Sequence, residues 1–185
     1  MAFKDTILTF EDDKIVTDDD YHNMEVMMSW EAPIMEKSAE YICESRGDIL
    51  EIGFGMGICA DYIQSQNVNS HTIVEIHPQI IERLKTWAED KDNVITVVGD
   101  WSNVELGAYD GIFLDTFGDE NLSKIKDFVS SKAKSGAKVT YWNNYEKEDN
   151  QHDFSSINYE VISIAPESNL YTDIKNEYFM PKVIV

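Results

Sequence analysis

The chain has 185 residues, 43% of them hydrophobic, and a formal net charge of −20. This length favours one domain. No apolar run approaches the ~20 residues of a membrane span. The lysines and arginines are scattered, which argues against a nucleic-acid partner. We therefore expect a cytoplasmic monomer or homodimer without a membrane partner, whose acidity favours a cationic substrate. The four histidines and two cysteines show no metal-ligand spacing, so no metal is expected.

The first part of the chain predicts a small hairpin followed by two helical segments. Residues 6–17 alternate apolar and polar side chains around an acidic turn, as paired strands do. A helical segment over residues 23–29 and a helix from Pro33 to about Ser45 follow, because proline suits a first helical turn. We assign residues 1–22 to an N-terminal extension that folds over the active site as a lid, and residues 23–185 to a single domain.

The rest of the chain alternates strands with helices, which predicts a mostly parallel sheet covered by helices on both faces. Five short apolar runs read as its strands: residues 49–52, 71–75, 94–98, 109–115 and 138–142. Helical patterns lie between them at residues 57–66, 78–89 and 122–129, and Ser135-Gly136 is predicted to turn the chain into the fifth strand. Two further strand-like runs, 159–164 and 177–185, lack an intervening helix and therefore predict an antiparallel edge.

A glycine-rich turn after the first of these strands carries the strongest local signal. Gly53, Gly55 and Gly57 allow a sharp turn and a close backbone approach to a ligand. A dinucleotide fingerprint would need a further glycine at position 58, where the chain has Ile58, so an NAD-dependent oxidoreductase is disfavoured. The G-x-G-x-G spacing after the acidic Glu51 instead resembles the first motif of class I methyltransferases, which bind S-adenosylmethionine.

Polar residues follow the other strands, at the edge where ligands bind in such sheets. Glu75 closes the second strand, where an acid can accept hydrogen bonds from both ribose hydroxyls. Asp100 and Trp101 follow the third strand, and we expect them to contact the adenine amino group and the base. Asp115 closes the fourth strand, at the mouth of the same edge.

An ordered set of motifs resembles the guanidinoacetate N-methyltransferase family. Residues 26–35 are similar to its V-M-x-x-W-E-x-P-x-M segment, and residues 51–56 to its E-x-G-F-G-M loop. Its D-T-Y appears here as Asp115-Thr116-Phe117, and its T-Y-x-N appears at residues 140–143. Yeast-type protein arginine N-methyltransferases, which share the Met-Met before the Trp-Glu pair and the D-T-F, are about equally similar.

The resemblance implies a fold, a cofactor and a set of site residues. The fold is a three-layer, Rossmann-like class I methyltransferase sheet of the α/β class, mostly parallel with an antiparallel C-terminal strand, plus the N-terminal extension. The implied contacts to S-adenosylmethionine are Met28, Glu51, Gly53, Phe54, Gly55, Met56, Gly57, Glu75, Ile76, Asp100, Trp101 and Asp115. The implied contacts to the substrate are Trp30, Glu31, Asp115, Asn143, Asn144 and Tyr145.

The family's chemistry implies that Glu31 and Asp115 are catalytic. A guanidinium is planar and matches carboxylates in pairs, and one of the two carboxylates can accept a proton as the methyl group arrives. Asp115, nearest the expected methyl donor, is our candidate for that base. The two carboxylates orient the substrate, and this positioning supplies much of the acceleration.

We thus expect an N-methyltransferase acting on the guanidino group of a small, guanidinoacetate-like molecule. The alternative is a protein arginine N-methyltransferase, whose relatives carry an additional N-terminal repeat domain that is absent from this sequence. A third hypothesis, from another class, is a non-catalytic module that binds S-adenosylmethionine. Retention of both Glu31 and Asp115 argues against that module, because cofactor binding does not require them.

Overall fold

The computed structural model describes residues 2–18, 24–144, 150–166 and 176–185. Its central sheet has seven strands: β4 (Asp48–Ile52), β5 (Ser70–Glu75), β6 (Val94–Val98), β7 (Tyr109–Leu114), β8 (Ala133–Tyr141), β9 (Ile157–Ser163) and β10 (Glu177–Ile184). The spatial order is β6-β5-β4-β7-β8-β10-β9, in which the first five strands pair in parallel and β10 pairs antiparallel with both of its neighbours, β8 and β9. The predicted sheet and its antiparallel edge are confirmed.

Four helices cover this sheet: α1 (Ala32–Ile42), α2 (Ile58–Ser65), α3 (Pro78–Ala88) and α4 (Ile125–Lys132). Strand residues alternate between the two faces, and in β4 Ile49 packs with α1 and α2 whereas Leu50 packs with α4. Helix α3 joins the first face through Ile80, which packs with Ile73 of β5. None of the described helices has the length and apolar character needed to cross a bilayer. The result is the expected three-layer arrangement.

A second, three-stranded sheet lies at the N-terminus and consists of β1 (Leu8–Phe10), β2 (Lys14–Thr17) and β3 (Glu25–Met28), all antiparallel. The hairpin predicted over residues 6–17 is confirmed as β1 and β2. The helix predicted over residues 23–29 is wrong where the chain is described, because β3 pairs with β2 and buries both of its methionines. A short 3₁₀ turn, Ser29–Glu31, then leads directly into α1.

The predicted turn at Ser135-Gly136 is also wrong, because both residues belong to β8. The pairing register between β7 and β8 shifts just after Tyr109, and Gly136 has a φ of 82°. Gly136 therefore permits an irregular stretch within β8, at the point where the Ser135-Gly136 sequence had predicted a turn before the strand.

Candidate active site

A cavity opens over the carboxyl ends of the parallel strands. It is lined by the glycine loop between β4 and α2, by the residues that follow β5, β6 and β7, and by the N-terminal segment. Of the predicted cofactor residues, the cavity wall contains Glu51, Gly53, Phe54, Gly55, Glu75, Ile76, Asp100, Trp101 and Asp115. Residues from four strand ends therefore meet at one place, as the sheet topology requires.

The glycine loop can adopt its path because its glycines, of which two line the cavity, lack a side chain. Gly53 has a φ of 90°, and a Cβ there would lie 1.9 Å from the backbone oxygen of Asp115. Gly55 has a φ of 54°, and a Cβ there would lie 2.3 Å from Sδ of Met27. The loop thus packs tightly on β7 and β3 while presenting bare backbone to the cavity.

Glu75 fastens this loop to the start of α3. Its Oε2 accepts a hydrogen bond from the backbone N–H of Phe54 at 3.0 Å, and its Oε1 accepts from Ile76 and His77 at 2.8 Å each. The carboxylate is buried and still lines the cavity. Three backbone donors hold it in one orientation, so it is preorganised to accept further hydrogen bonds. Its ribose contact stays a prediction.

Asp100 and Trp101 hold the loop that follows β7 against the cavity. Asp100 Oδ2 accepts from Nδ2 of Asn121 at 3.2 Å, and its Oδ1 accepts from the backbone of Ser102 at 2.9 Å. The indole N–H of Trp101 donates to Asp119 Oδ2 at 2.6 Å. Both predicted residues line the cavity, and Trp101 also packs edge-on against the α4 side chains.

The candidate catalytic pair, Glu31 and Asp115, is brought together by β3 and β7. Glu31 is 3% exposed and accepts a hydrogen bond from the backbone N–H of Met28 at 3.0 Å. Burial, and next the charge of Asp115, raises the pKa of Glu31 well above its usual value. Burial, and next the charges of Glu51 and Glu75, raises the pKa of Asp115 to about 7. A buried acid next to a second acid that lines the cavity is a favourable place for a cation.

The predicted acceptor residues after β8 lie at the carboxyl edge of the sheet, as Asp115 does. The backbone N–H of Asn143 donates to the hydroxyl of Tyr178 at 2.7 Å, and its side chain donates to the carbonyl of Phe179 at 2.9 Å. Asn144 is exposed and accepts from the Trp142 indole at 2.6 Å. Tyr145 lies outside the described residues.

Tyr178 connects these residues to the carboxylates. It is buried, and after burial itself the charges of Asp115 and Glu31 contribute to raising its pKa well above the usual value. Its ring lies 5.2 Å from that of Trp142, which follows β8 next to the end of β7. Trp30 packs against the same cluster, and its indole N–H is buried without a hydrogen-bond partner among the described residues. The carboxylate pair therefore adjoins an aromatic wall.

Several lining residues could not be identified from the sequence. Met28 is buried and does not line the cavity, whereas Val26 and Met27 do. Residues 117–121 also line it, and their only sequence signal is their position after the fourth strand. The N-terminal turn contributes Phe3, whose ring lies 4.9 Å from that of His77 and 5.1 Å from that of Phe117. Residues 2–4 therefore border the cavity, while a lid function of residues 1–22 stays a prediction.

The fit to S-adenosylmethionine rests on the cavity itself. Glycines 53 and 55 line the cavity, and each packs so tightly on Asp115 or Met27 that no Cβ could be accommodated, which leaves bare backbone beside a ligand. One oxygen of Glu51, Oε1, is buried without a hydrogen-bond partner among the described residues, and Glu51 lines the cavity. A ligand with a cationic group beside an adenosine matches both features.

Comparisons with known proteins agree with this geometry. The family model described as guanidinoacetate N-methyltransferase matches residues 8–171. The chain is 38% identical over 139 residues to "Protein arginine N-methyltransferase 2" of Yarrowia lipolytica, covering 65% of this chain and 28% of that protein. For the Kluyveromyces lactis protein of the same name, identity is 32% over 152 residues, covering 75% and 37%. The chain thus spans about a third of the length of these curated relatives.

Among solved structures, the N-methyltransferase NodS from Bradyrhizobium japonicum WM9 superposes with a TM-score of 0.64 at 11% identity, covering 84% of this chain and 96% of that one. At this identity the likeness concerns the fold alone. Fold and cavity together define a class I methyltransferase domain, whose cofactor is S-adenosylmethionine. The match over residues 8–171 places the chain more narrowly: it belongs to the guanidinoacetate N-methyltransferase family.

Proposed function

We propose that this domain transfers a methyl group from S-adenosylmethionine to a guanidino nitrogen of an arginine side chain in a protein. The observation that carries the proposal is the pair of neighbouring acids Glu31 and Asp115, whose pKa values are both raised in the absence of a cation. The arginine acceptor is supported by the curated relatives, which are named as arginine N-methyltransferases at 32% and 38% identity. This choice reverses our order of preference from the sequence alone.

The carboxylate pair accounts for the choice of a guanidinium. Its planar array of N–H donors can satisfy two carboxylates at once. In the ligand-free protein the pKa of Glu31 is raised and that of Asp115 is raised to about 7, so the ionised form of each acid is disfavoured. A bound guanidinium favours the ionised forms of both carboxyl groups, because each negative charge then has a positive partner.

The same pair explains how the nitrogen becomes reactive. When bound, S-adenosylmethionine supplies a methyl group already activated by its sulfonium. A guanidinium has a pKa above ~12 and is a poor nucleophile. We assign Asp115 to accept the proton that the attacking nitrogen gives up, because it lies both beside Glu31 and in the cofactor cavity. Glu31 holds the opposite edge of the guanidinium, fixed by its bond to the Met28 backbone.

The aromatic rings of Trp142 and Tyr178 give a second reason to expect a cationic acceptor, separate from the charges of the two carboxylates. Leu114 and Tyr141 pair in register, so the next residues, Asp115 and Trp142, extend from the same face of the sheet. A guanidinium held by Asp115 would therefore lie beside an indole, whose face attracts cations.

The second candidate is a small guanidino compound such as guanidinoacetate. The observation that favours it is the family model itself, which carries that substrate in its description. Both candidates present the same planar cation to Glu31 and Asp115, so the pair cannot distinguish them. The difference lies in what is attached to the guanidino group.

The test is methyl transfer from labelled S-adenosylmethionine to an arginine-rich protein, guanidinoacetate, free arginine and agmatine. Label on protein supports our proposal, and label on guanidinoacetate alone would replace it with the second candidate. Asp115→Asn and Glu31→Gln should retain cofactor binding by calorimetry and lose turnover. Asp110→Asn is the matched control, because Asp110 lies on the same strand at the end remote from the site. Near-normal rates in both site variants would refute the assignment.

A further inference from the structure

A chain of three polar side chains runs through the core to the cavity. Gln64 of α2 places Nε2 at 3.2 Å from Nδ1 of His71, and Nε2 of His71 lies 2.8 Å from Oε2 of Glu51. His71 and Glu51 both have 0% relative exposure. Polar groups at this depth are stable only when hydrogen-bonded. The arrangement therefore needs an explanation beyond core packing.

The hydrogen-bond pattern determines which ring nitrogen of His71 carries the proton. An amide nitrogen only donates, so Gln64 Nε2 makes Nδ1 of His71 an acceptor. The ring proton then lies on Nε2 and is donated to Oε2 of Glu51. Gln64 thus selects the tautomer that holds Glu51 in place, as an outer partner orients a ligating side chain.

The other oxygen of Glu51 is left for a ligand. Oε1 is buried and has no hydrogen-bond partner among the described residues, and Glu51 lines the cofactor cavity. Burial raises the pKa of Glu51, and the bond from His71 opposes that rise by stabilising the carboxylate. A carboxylate oxygen in this position needs a donor that carries positive charge. Of the cofactor's cationic groups, the sulfonium has no proton to donate, whereas the ammonium of the amino-acid part has three.

We propose that His71, with its tautomer fixed by Gln64, is a positioning residue that holds the Glu51 carboxylate and directs Oε1 toward the ammonium group of S-adenosylmethionine. This inference rests on the cofactor in our proposed function and does not depend on the acceptor. His71 reaches the ligand only through Glu51. It therefore determines affinity for the amino-acid part of the cofactor and leaves the adenosine part unaffected.

The test compares two ligands that differ in that part. S-adenosylhomocysteine carries the ammonium, and 5′-methylthioadenosine lacks the whole amino-acid end. His71→Leu should weaken calorimetric binding of S-adenosylhomocysteine by about tenfold or more, the usual value of a charged hydrogen bond. Binding of 5′-methylthioadenosine should change by less than about twofold. His71→Gln returns an N–H donor and should recover most of the lost affinity.

Gln64→Leu provides a second variant should His71→Leu not fold, because Gln64 is only partly buried. It should weaken S-adenosylhomocysteine several-fold and again leave 5′-methylthioadenosine unaffected. Equal weakening of both ligands would overturn the proposal, since it would indicate general damage to the core. Unchanged binding of S-adenosylhomocysteine in both variants would also overturn it, as would a wild-type protein that binds neither ligand.

The outcome is separable from the acceptor proposal. Selective loss of S-adenosylhomocysteine affinity supports the role of His71 even if no guanidino compound becomes methylated. Conversely, labelled arginine protein combined with unselective binding changes would support the proposed function and reject this inference.

Discussion

Replacing Asp115 with asparagine should stabilise the ligand-free protein. The folded structure raises the pKa of this carboxyl from 3.8 to about 7. Well below pH 4 the group is protonated in both the folded and the unfolded chain, so its ionisation then costs no stability. As the pH rises from about 4 to about 7, the unfolded chain ionises whereas the folded chain resists, so stability is lost, and the loss levels off above the folded pKa of about 7. Asparagine remains neutral throughout and avoids this loss.

The size of the effect follows from the shift. One pKa unit corresponds to about 1.4 kcal/mol, so a rise from 3.8 to about 7 lowers stability by at most about 4.5 kcal/mol above pH 7. Roughly 3 kcal/mol of this difference should develop between pH 5 and pH 8. The cavity leaves Asp115 partly exposed, which makes these figures upper bounds. Loss of the Asp115 charge also relieves Glu31, which acts in the same direction.

Chemical denaturation of both proteins at pH 5, 6, 7 and 8, without ligands, measures this difference. Asp115→Asn should gain stability over wild type as the pH rises and level off above pH 7. Asp110→Asn is the contrasting variant, because Asp110 pairs with Lys134 at 2.7 Å and its loss should lower stability instead. A wild type that is equal to or more stable than Asp115→Asn at pH 8 would refute the electrostatic argument.

Three further predictions concern the ligands. Binding of an arginine peptide near pH 6.5 should release a proton from Asp115, whose pKa is about 7, so the calorimetric enthalpy should vary with the buffer's ionisation enthalpy; an invariant enthalpy would contradict the raised pKa of Asp115. Gly55→Ala should cost about 1 kcal/mol or more of stability and weaken cofactor binding, because φ is 54° and the new Cβ meets Sδ of Met27; Gly107→Ala, where a Cβ meets nothing within 4 Å, should change neither. Trp142→Leu should raise the acceptor KM roughly threefold to tenfold and leave the cofactor Kd unchanged. Trp142→Phe keeps an aromatic ring, so its acceptor KM should stay close to that of the wild type. An acceptor KM in Trp142→Leu equal to that of the wild type would show that Trp142 does not belong to the acceptor site.

The parts of the site that follow from local sequence were predictable. Glycines at 53, 55 and 57 indicate a tight turn whatever lies around them, and Glu75 marks a strand end by its place after an apolar run. The parallel order then brings those strand ends together, because the carboxyl ends of parallel strands share one edge. The meeting of the glycine loop with Glu75 and Asp115 at one edge was therefore predictable, whereas the predicted Met28, Met56 and Gly57 lie outside the cavity wall, and every contact to the cofactor stays a prediction.

The remaining features depend on contacts between distant segments. Residues 25–28 have no strand alternation of their own and become a strand only by pairing with β2. The line Gln64–His71–Glu51 joins a helix to two strands, and nothing in the local pattern at His71 distinguishes it from a packing residue. Contacts with residues distant in the sequence determine the conformation and the role of such residues, and these contacts cannot be read from a single sequence.

Strand β3 touches the glycine loop directly, since Met27 Sδ accepts a hydrogen bond from the backbone N–H of Met56 at 3.0 Å. The same strand ends at the turn that carries Glu31. Any shift of the loop on cofactor binding is thereby transmitted to the residue that receives the acceptor. Thermodynamic linkage makes this effect mutual. If the cofactor changes the affinity for the acceptor by some factor, the acceptor changes the affinity for the cofactor by the same factor. In the proposed function, β3 is thus the element through which the cofactor and the acceptor would influence each other's affinity equally.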